Sequence, residues 1–122
     1  MILVGSKLKV IDNSGAKEVK CIGLLGVGKR RYALAGDIIK VSVRSVRAQR
    51  KVEKGNVYRA VVVTVKKGKK RQGGEQVMFN ENAVVLIKND NMPIGTRVLG
   101  AVMVELREKN LMKIISLSKV TI

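Results

Sequence analysis

The sequence predicts a mainly β protein, a small closed or nearly closed barrel followed by one or two short helices. Three observations carry that expectation. Apolar and polar residues alternate with a period of two over several short runs, as half-buried strands require. Clusters of Gly, Asn, Asp and Ser separate those runs at short spacing. Near the C-terminus the period changes to that of a helix.

Lys7 to Ile11 opens the pattern with charged and apolar residues in turn. Asp12-Asn13-Ser14-Gly15 reverses the chain, because each of these residues favours a tight turn. Val19 to Leu25 returns as the partner strand, closed off by Gly26-Val27-Gly28. Ala35-Gly36-Asp37 makes a second turn. Ile38 to Val46 alternates most regularly, with Ile39, Val41 and Val43 on one face and Lys40, Ser42 and Arg44 on the other. That pattern predicts a half-buried strand with a basic outer face. Beyond a turn at Lys54-Gly55-Asn56, the run Val57 to Val65 is rich in β-branched residues. Val61, Val62 and Val63 would fill both of its faces, which predicts a central strand.

Lys66 to Gly74 reads as a glycine-bearing basic loop. Val77 to Phe79 and Ala83 to Ile87 read as further strands, and Thr96 to Val104 is expected to start as one. Glu105 to Lys109 has helical composition. Asn110 is a candidate cap for a short helix in which Leu111, Ile114, Ile115 and Ser118 share a face. No linker, repeat or shift of composition divides the chain. Residues 1–122 are expected to form one domain, with the barrel over about 1–100 and the helical segment over about 101–122.

Charge narrows the function. Lys and Arg number 25 against 9 Asp and Glu, a formal net charge of +16. Such self-repulsion weakens a small domain unless a polyanion offsets it, and nucleic acid is the commonest polyanion. Apolar residues make up 46% of the chain, enough to build a core rather than leave it disordered. There is no His, so acid–base catalysis near neutral pH lacks its usual agent. The single Cys21 cannot form an internal disulfide. No apolar run approaches the roughly 20 residues of a membrane span, and Met1 to Val4 is too short for a signal sequence. A soluble, intracellular and unprocessed chain is expected.

Three basic clusters are candidates for phosphate contact. Lys66, Lys67, Lys69, Lys70 and Arg71 crowd around Gly68 in a loop, where like charges repel unless an anion sits among them. Arg44, Arg47, Arg50, Lys51 and Lys54 face only Glu53 as a nearby acid, and Lys29-Arg30-Arg31 is the third group. Any one alone reads as a wet surface; together they read as an electrostatic footprint. Aromatic residues are scarce: Tyr32, Tyr58 and Phe79. Stacking on exposed bases therefore has little material, and Phe79 reads as core. The expected target is the backbone and shape of folded RNA.

Gly26-Val27-Gly28 lacks the third glycine of a dinucleotide motif, and Gly68, Gly73 and Gly74 lack the P-loop pattern. Asp12, Glu18 and Asp37 are scattered, so no catalytic residue, metal site or cofactor is expected. Cys21 reads as a small buried hydrophobe.

Several segments, in order, resemble one family. These are Ile11-Asp12-Asn13-Ser14-Gly15-Ala16, then Ala60-Val61-Val62-Val63 through Phe79, Asn82, Val85 and Leu86, and then Pro93-Ile94-Gly95-Thr96-Arg97. Glu105-Leu106-Arg107 and Met112-Lys113-Ile114-Ile115-Ser116-Leu117 complete the set. Over about residues 7–118 the chain resembles the universal large-subunit ribosomal protein fourteen family, of bacterial or organellar type. The resemblance implies a five-stranded β-barrel, an extended basic hairpin loop and two short C-terminal helices. It implies a structural place on the large ribosomal subunit, held by large-subunit rRNA, with no catalytic role. It also implies an intersubunit bridge with small-subunit rRNA, contacts with neighbouring large-subunit ribosomal proteins, and, in bacterial members, docking of a ribosome-silencing factor. That docking or bridge face maps to Thr96, Arg97 and Lys113. The implied location is a ribosome, in the bacterial cytoplasm or in a mitochondrion or plastid. The chain departs from the family pattern at Ala48, Gln72, Gly73 and Ala101, and three of these positions lose a proline's fixed φ.

Other readings fit less of the sequence. A free RNA chaperone or nucleoid-type binder would use aromatic stacking residues. A nuclease would need clustered carboxylates or a His, and a membrane-surface protein would need a long basic amphipathic helix.

Overall fold

The computed structural model describes residues 2–25, 31–48, 51–66, 69–70, 76–77, 81–103, 106 and 111–118. Its elements are β1 (Lys7–Val10), β2 (Ala16–Leu25), β3 (Ile38–Val46), β4 (Val57–Thr64), β5 (Lys69–Lys70), β6 (Gln76–Val77), β7 (Ala83–Ile87) and α1 (Met112–Leu117). Five strands close a barrel in the order β1-β2-β3-β4-β7. Neighbours are antiparallel except at the closure, where β1 runs parallel to β7 with Lys9 facing Ala83 and Val10 facing Val84. Register shifts within β2, at Ala16/Glu18, Glu18/Val19 and Cys21/Gly23, and in β4 at Val62/Thr64 mark bulges or irregularities. Bulges bend and twist a strand, and a sheet of five strands needs that to close on itself.

The barrel interior follows from the alternation. Leu8 and Val10, Val19 and Cys21, Ile39, Val41 and Val43, Ala60 and Val62, and Val84 and Leu86 pack in one buried cluster. A second core lies outside the barrel wall. Val61 and Val63 of β4, with Ala83, Val85 and Ile87 of β7, are buried under Val98, Val102, Leu106, Leu111, Ile114 and Ile115. Both faces of residues 60–63 in β4 and of β7 are thus covered, which is why these runs are apolar without alternation.

The C-terminal part departs from expectation in its strand and agrees with it in its helix. Residues 96–103 form no regular strand; Val98 makes isolated bridges to Asp12 and Ser118, and Met103 N–H bonds the Val63 carbonyl. A closed barrel offers no free edge to extend, so this segment crosses the outer wall and contributes Val98 and Val102 as anchors. Among the described residues there is one α-helix, α1, with Ile114 and Ile115 buried. Its N-cap position is Leu111, with no side-chain cap. Asn110, proposed as the cap, lies outside the described residues, as do Glu105, Arg107, Glu108 and Lys109. A helix of six residues is too short to persist on propensity alone, so packing of its apolar face holds it.

Lys69–Lys70 pairs antiparallel with Gln76–Val77 in a separate two-stranded ribbon. The strand expected to begin at Val77 begins one residue earlier, and Met78 and Phe79 lie outside the described residues.

Candidate nucleic-acid interface

The barrel has two unlike walls. Outward positions on β7 and at Val61 and Val63 of β4 are apolar and covered, whereas those on β1, β2 and β3 are largely charged and open. On this second wall Lys7 faces Lys20, and Lys20 faces Ser42. The next row sets Lys40 against Arg59. Lys7, Lys40 and Arg44 are exposed and Lys20 is half-buried, while Ser42, between Lys20 and Val57, is buried. Lys7, Glu18, Val19, Lys20 and Arg44 line an open cleft of about 300 Å³. Like charges directly opposite on neighbouring strands repel, so the Lys7–Lys20 pair is a local cost that an anion would remove. Lys9, on the same face, instead meets Glu81 at 3.2 Å.

One end of the barrel is organised by the turn at residues 12–15. Asp12 is buried, and its carboxylate accepts from the Ser14 N–H, the Ser14 hydroxyl and the Leu86 N–H. Burial pushes the Asp12 pKa above its ordinary value, outweighing the opposing pull of these hydrogen bonds and of the Lys51 charge. Asn13 holds a different segment. Its Oδ1 accepts the Thr96 N–H at 2.7 Å and the Arg97 N–H at 3.0 Å, and its Nδ2 donates to Thr96 Oγ1 at 2.8 Å. A Cβ on Gly95 would stand 2.6 Å from that Oδ1, so only glycine permits the approach. Gly15 takes a φ of +101°, which turns the chain into β2. The carbonyls of Ser14 and Gly15 accept the N–H groups of Lys51 and Arg47, both at 2.7 Å. Four residues thereby fix a basic loop on one side and Thr96–Arg97 on the other.

The structure brings some of the sequence candidates together. Arg44 sits on the open wall beside Lys7 and Lys20. Arg47, Lys51 and Lys54 are exposed on a loop tied to the turn by backbone bonds and steadied where Tyr58 Oη accepts the Glu53 N–H at 3.3 Å. Arg31 is exposed, while Lys29, Arg30 and Arg50 lie outside the described residues. Lys66 is exposed, and its backbone N–H bonds Asn82 Oδ1 at 2.7 Å. Lys69 and Lys70 belong to β5; Lys67 and Arg71 lie outside the described residues.

Thr96, Arg97 and Lys113 are all exposed. The bridge between Val98 and Ser118, and the Ser118 hydroxyl donating to the Gly100 carbonyl at 2.9 Å, tie the C-terminal end of α1 to their segment.

Lys7, Lys20 and Arg59 escaped the sequence reading because they are far apart in the chain and fall in no run, and Lys40 was read only as part of one strand's basic outer face. Their signal was the alternation itself: each occupies the polar position of a strand, and barrel closure sets those positions side by side.

The model of one family, described as ribosomal protein L14p/L23e, matches residues 1–122. With a closed five-stranded barrel, a basic wall and a match over its whole length, the chain belongs to the ribosomal protein L14p/L23e family, a class of structural, non-enzymatic components of the large ribosomal subunit.

Proposed function

We propose that the protein is held on large-subunit rRNA by its basic surface, and that its Thr96–Lys113 side serves as an intersubunit bridge and protein-docking face. The carrying observation is the set of exposed cations Arg44, Lys51, Lys54 and Lys66, none within ion-pairing distance of an acid among the described residues. On a rigid barrel such groups meet phosphates without the ordering cost that a flexible tail would bear. Lys29, Arg30, Arg31, Arg47, Arg50, Lys67, Lys69, Lys70 and Arg71 extend this contact. They would position the protein on folded RNA rather than read its bases.

Thr96, Arg97 and Lys113 form the other face. Its partners are small-subunit rRNA, neighbouring large-subunit proteins and a ribosome-silencing factor, on a ribosome of a bacterial cytoplasm or an organelle. Asn13 makes this face rigid, so it can present a fixed pattern of donors.

Sedimentation through sucrose gradients at low and high salt tests the reading. The chain should travel with large subunits and stay there at high salt. A variant with Arg47, Lys51 and Lys54 changed to Ala should leave them as salt rises. An Arg97→Ala/Lys113→Ala variant should stay bound yet weaken subunit joining and silencing-factor binding. A wild-type chain that remains at the top of the gradient would transfer the reading to a free RNA binder. Unchanged joining and silencing-factor binding by the second variant would remove the docking face.

A further inference from the structure

The geometry points to the cleft on the open barrel wall as a seat for one sugar–phosphate unit of RNA. In it the phosphate lies on Lys7, Lys20 and Arg44, and the ribose 2′-hydroxyl donates a hydrogen bond to Glu18. This rests on the proposed binding to rRNA and goes beyond it, because it names a site, a chemical unit and a means of telling RNA from DNA.

Three observations converge on the cleft. The first is charge: β1, β2 and β3 bring Lys7, Lys20 and Arg44 to one lining, with Lys7 directly opposite Lys20. The repulsion between them falls when an anion enters. The second is Glu18, which lines the same cleft. Its cross-strand neighbour is Lys9, but the Lys9 ammonium is taken by Glu81 at 3.2 Å. Glu18 is exposed and stands among cations meant for an anion, where a carboxylate would weaken binding to a bare phosphate. An ionised carboxylate only accepts hydrogen bonds. The donor on a nucleic-acid backbone is the 2′-hydroxyl, which DNA lacks. The third is size and lining: about 300 Å³, with no aromatic side chain in the wall. Such a cleft suits a sugar–phosphate unit, not a stacked base.

The test uses the full-length protein and a large-subunit rRNA fragment that it binds, titrated over a range of salt. Lys7→Gln combined with Lys20→Gln keeps most of the side-chain bulk and removes the charge. One lost phosphate contact should reduce the slope of log K against log salt by about 0.7–0.9, or roughly five- to eightfold in affinity at 0.1 M salt. The same fragment is then made in a series, each copy carrying a single 2′-deoxy nucleotide. At one position the deoxy substitution should weaken binding by the wild type severalfold and leave binding by Glu18→Ala unchanged. An unaltered salt slope in the double variant overturns the seat. If Glu18→Ala binds every fragment more tightly by one common factor, Glu18 only repels phosphate and the 2′-hydroxyl contact is wrong. A wild-type protein that binds no rRNA fragment defeats the proposed function itself, a result separable from either of these.

Discussion

Asp12→Asn is the most informative single change in the turn that organises one end of the barrel. The carboxylate uses both oxygens: Oδ1 accepts from the Ser14 N–H and hydroxyl, and Oδ2 accepts the Leu86 N–H at 3.1 Å. An amide has one acceptor oxygen. Turned to keep Ser14, it sets its NH2 against the Leu86 N–H, which lies within the barrel wall away from water. A buried backbone donor left without an acceptor costs about 1–3 kcal/mol, and removal of a buried charge offsets part of that. The expected net loss of stability at neutral pH is toward the lower end of that range, about 1 kcal/mol, read by urea denaturation. The sign of the pH dependence follows from burial. Folding raises the Asp12 pKa above the 3.8 of an exposed Asp, so the folded state binds the proton more tightly than the unfolded one. The stability that proton uptake confers is complete below 3.8 and is lost as pH rises through the folded pKa. Asn does not titrate. The gap between wild type and Asp12→Asn should therefore widen as pH falls through that window. A variant as stable as wild type at neutral pH would refute the hydrogen-bond accounting, and a gap that narrows in acid would refute the direction of the pKa shift.

Gly95→Ala puts a Cβ 2.6 Å from Asn13 Oδ1 and 3.3 Å from the Asn13 backbone nitrogen. Either Asn13 swings away and releases Thr96 and Arg97 or the two segments part, so about 1–3 kcal/mol of stability should go. Silencing-factor binding should fall further than rRNA binding; equal losses would mean that Asn13 does not set the docking face. Leu86→Ala, at a fully buried barrel position, should cost about 2–5 kcal/mol by chemical denaturation. A cost well under 1 kcal/mol would show that the interior collapses around the gap.

The strands were legible because their alternation states which face is wet. Ile38–Val46 and Ala83–Ile87 fall where the pattern puts them, and the triple valine of β4 correctly announced a strand covered on both sides. The C-terminal segment was less legible. Val98, Leu99, Ala101, Val102 and Met103 have the composition of a strand, but whether a strand forms depends on a free edge, and barrel closure is a property of the whole sheet. The candidate site divided in the same way. Contiguous basic runs were visible, whereas the Lys7, Lys20 and Arg44 lining exists only through pairings between residues distant in sequence. The turn at residues 12–15 was legible as a turn. That Asn13 holds Thr96 and Arg97 was not, because a side chain's partner some eighty positions away leaves no local trace.

The two walls of the barrel would let one small fold serve the two proposed partners. A strand's outward residues are free to be charged only where nothing packs on them, and Val98, Val102, Leu106, Leu111, Ile114 and Ile115 pack on β4 and β7. They leave β1, β2 and β3 open, and there the outward positions carry Lys and Arg. Thr96 and Arg97, just before this covering layer, and Lys113 within it are exposed. In the proposed function, RNA contact and docking would occupy different layers: the barrel wall for one, the layer laid over the opposite wall for the other. The turn at residues 12–15 joins the layers through the Arg47 and Lys51 N–H groups on one side and the Thr96 and Arg97 N–H groups on the other. Because these links run through backbone and a single Asn side chain, charge can be removed from either surface without loosening the other. That separability is what allows the RNA-binding and docking variants to be read independently.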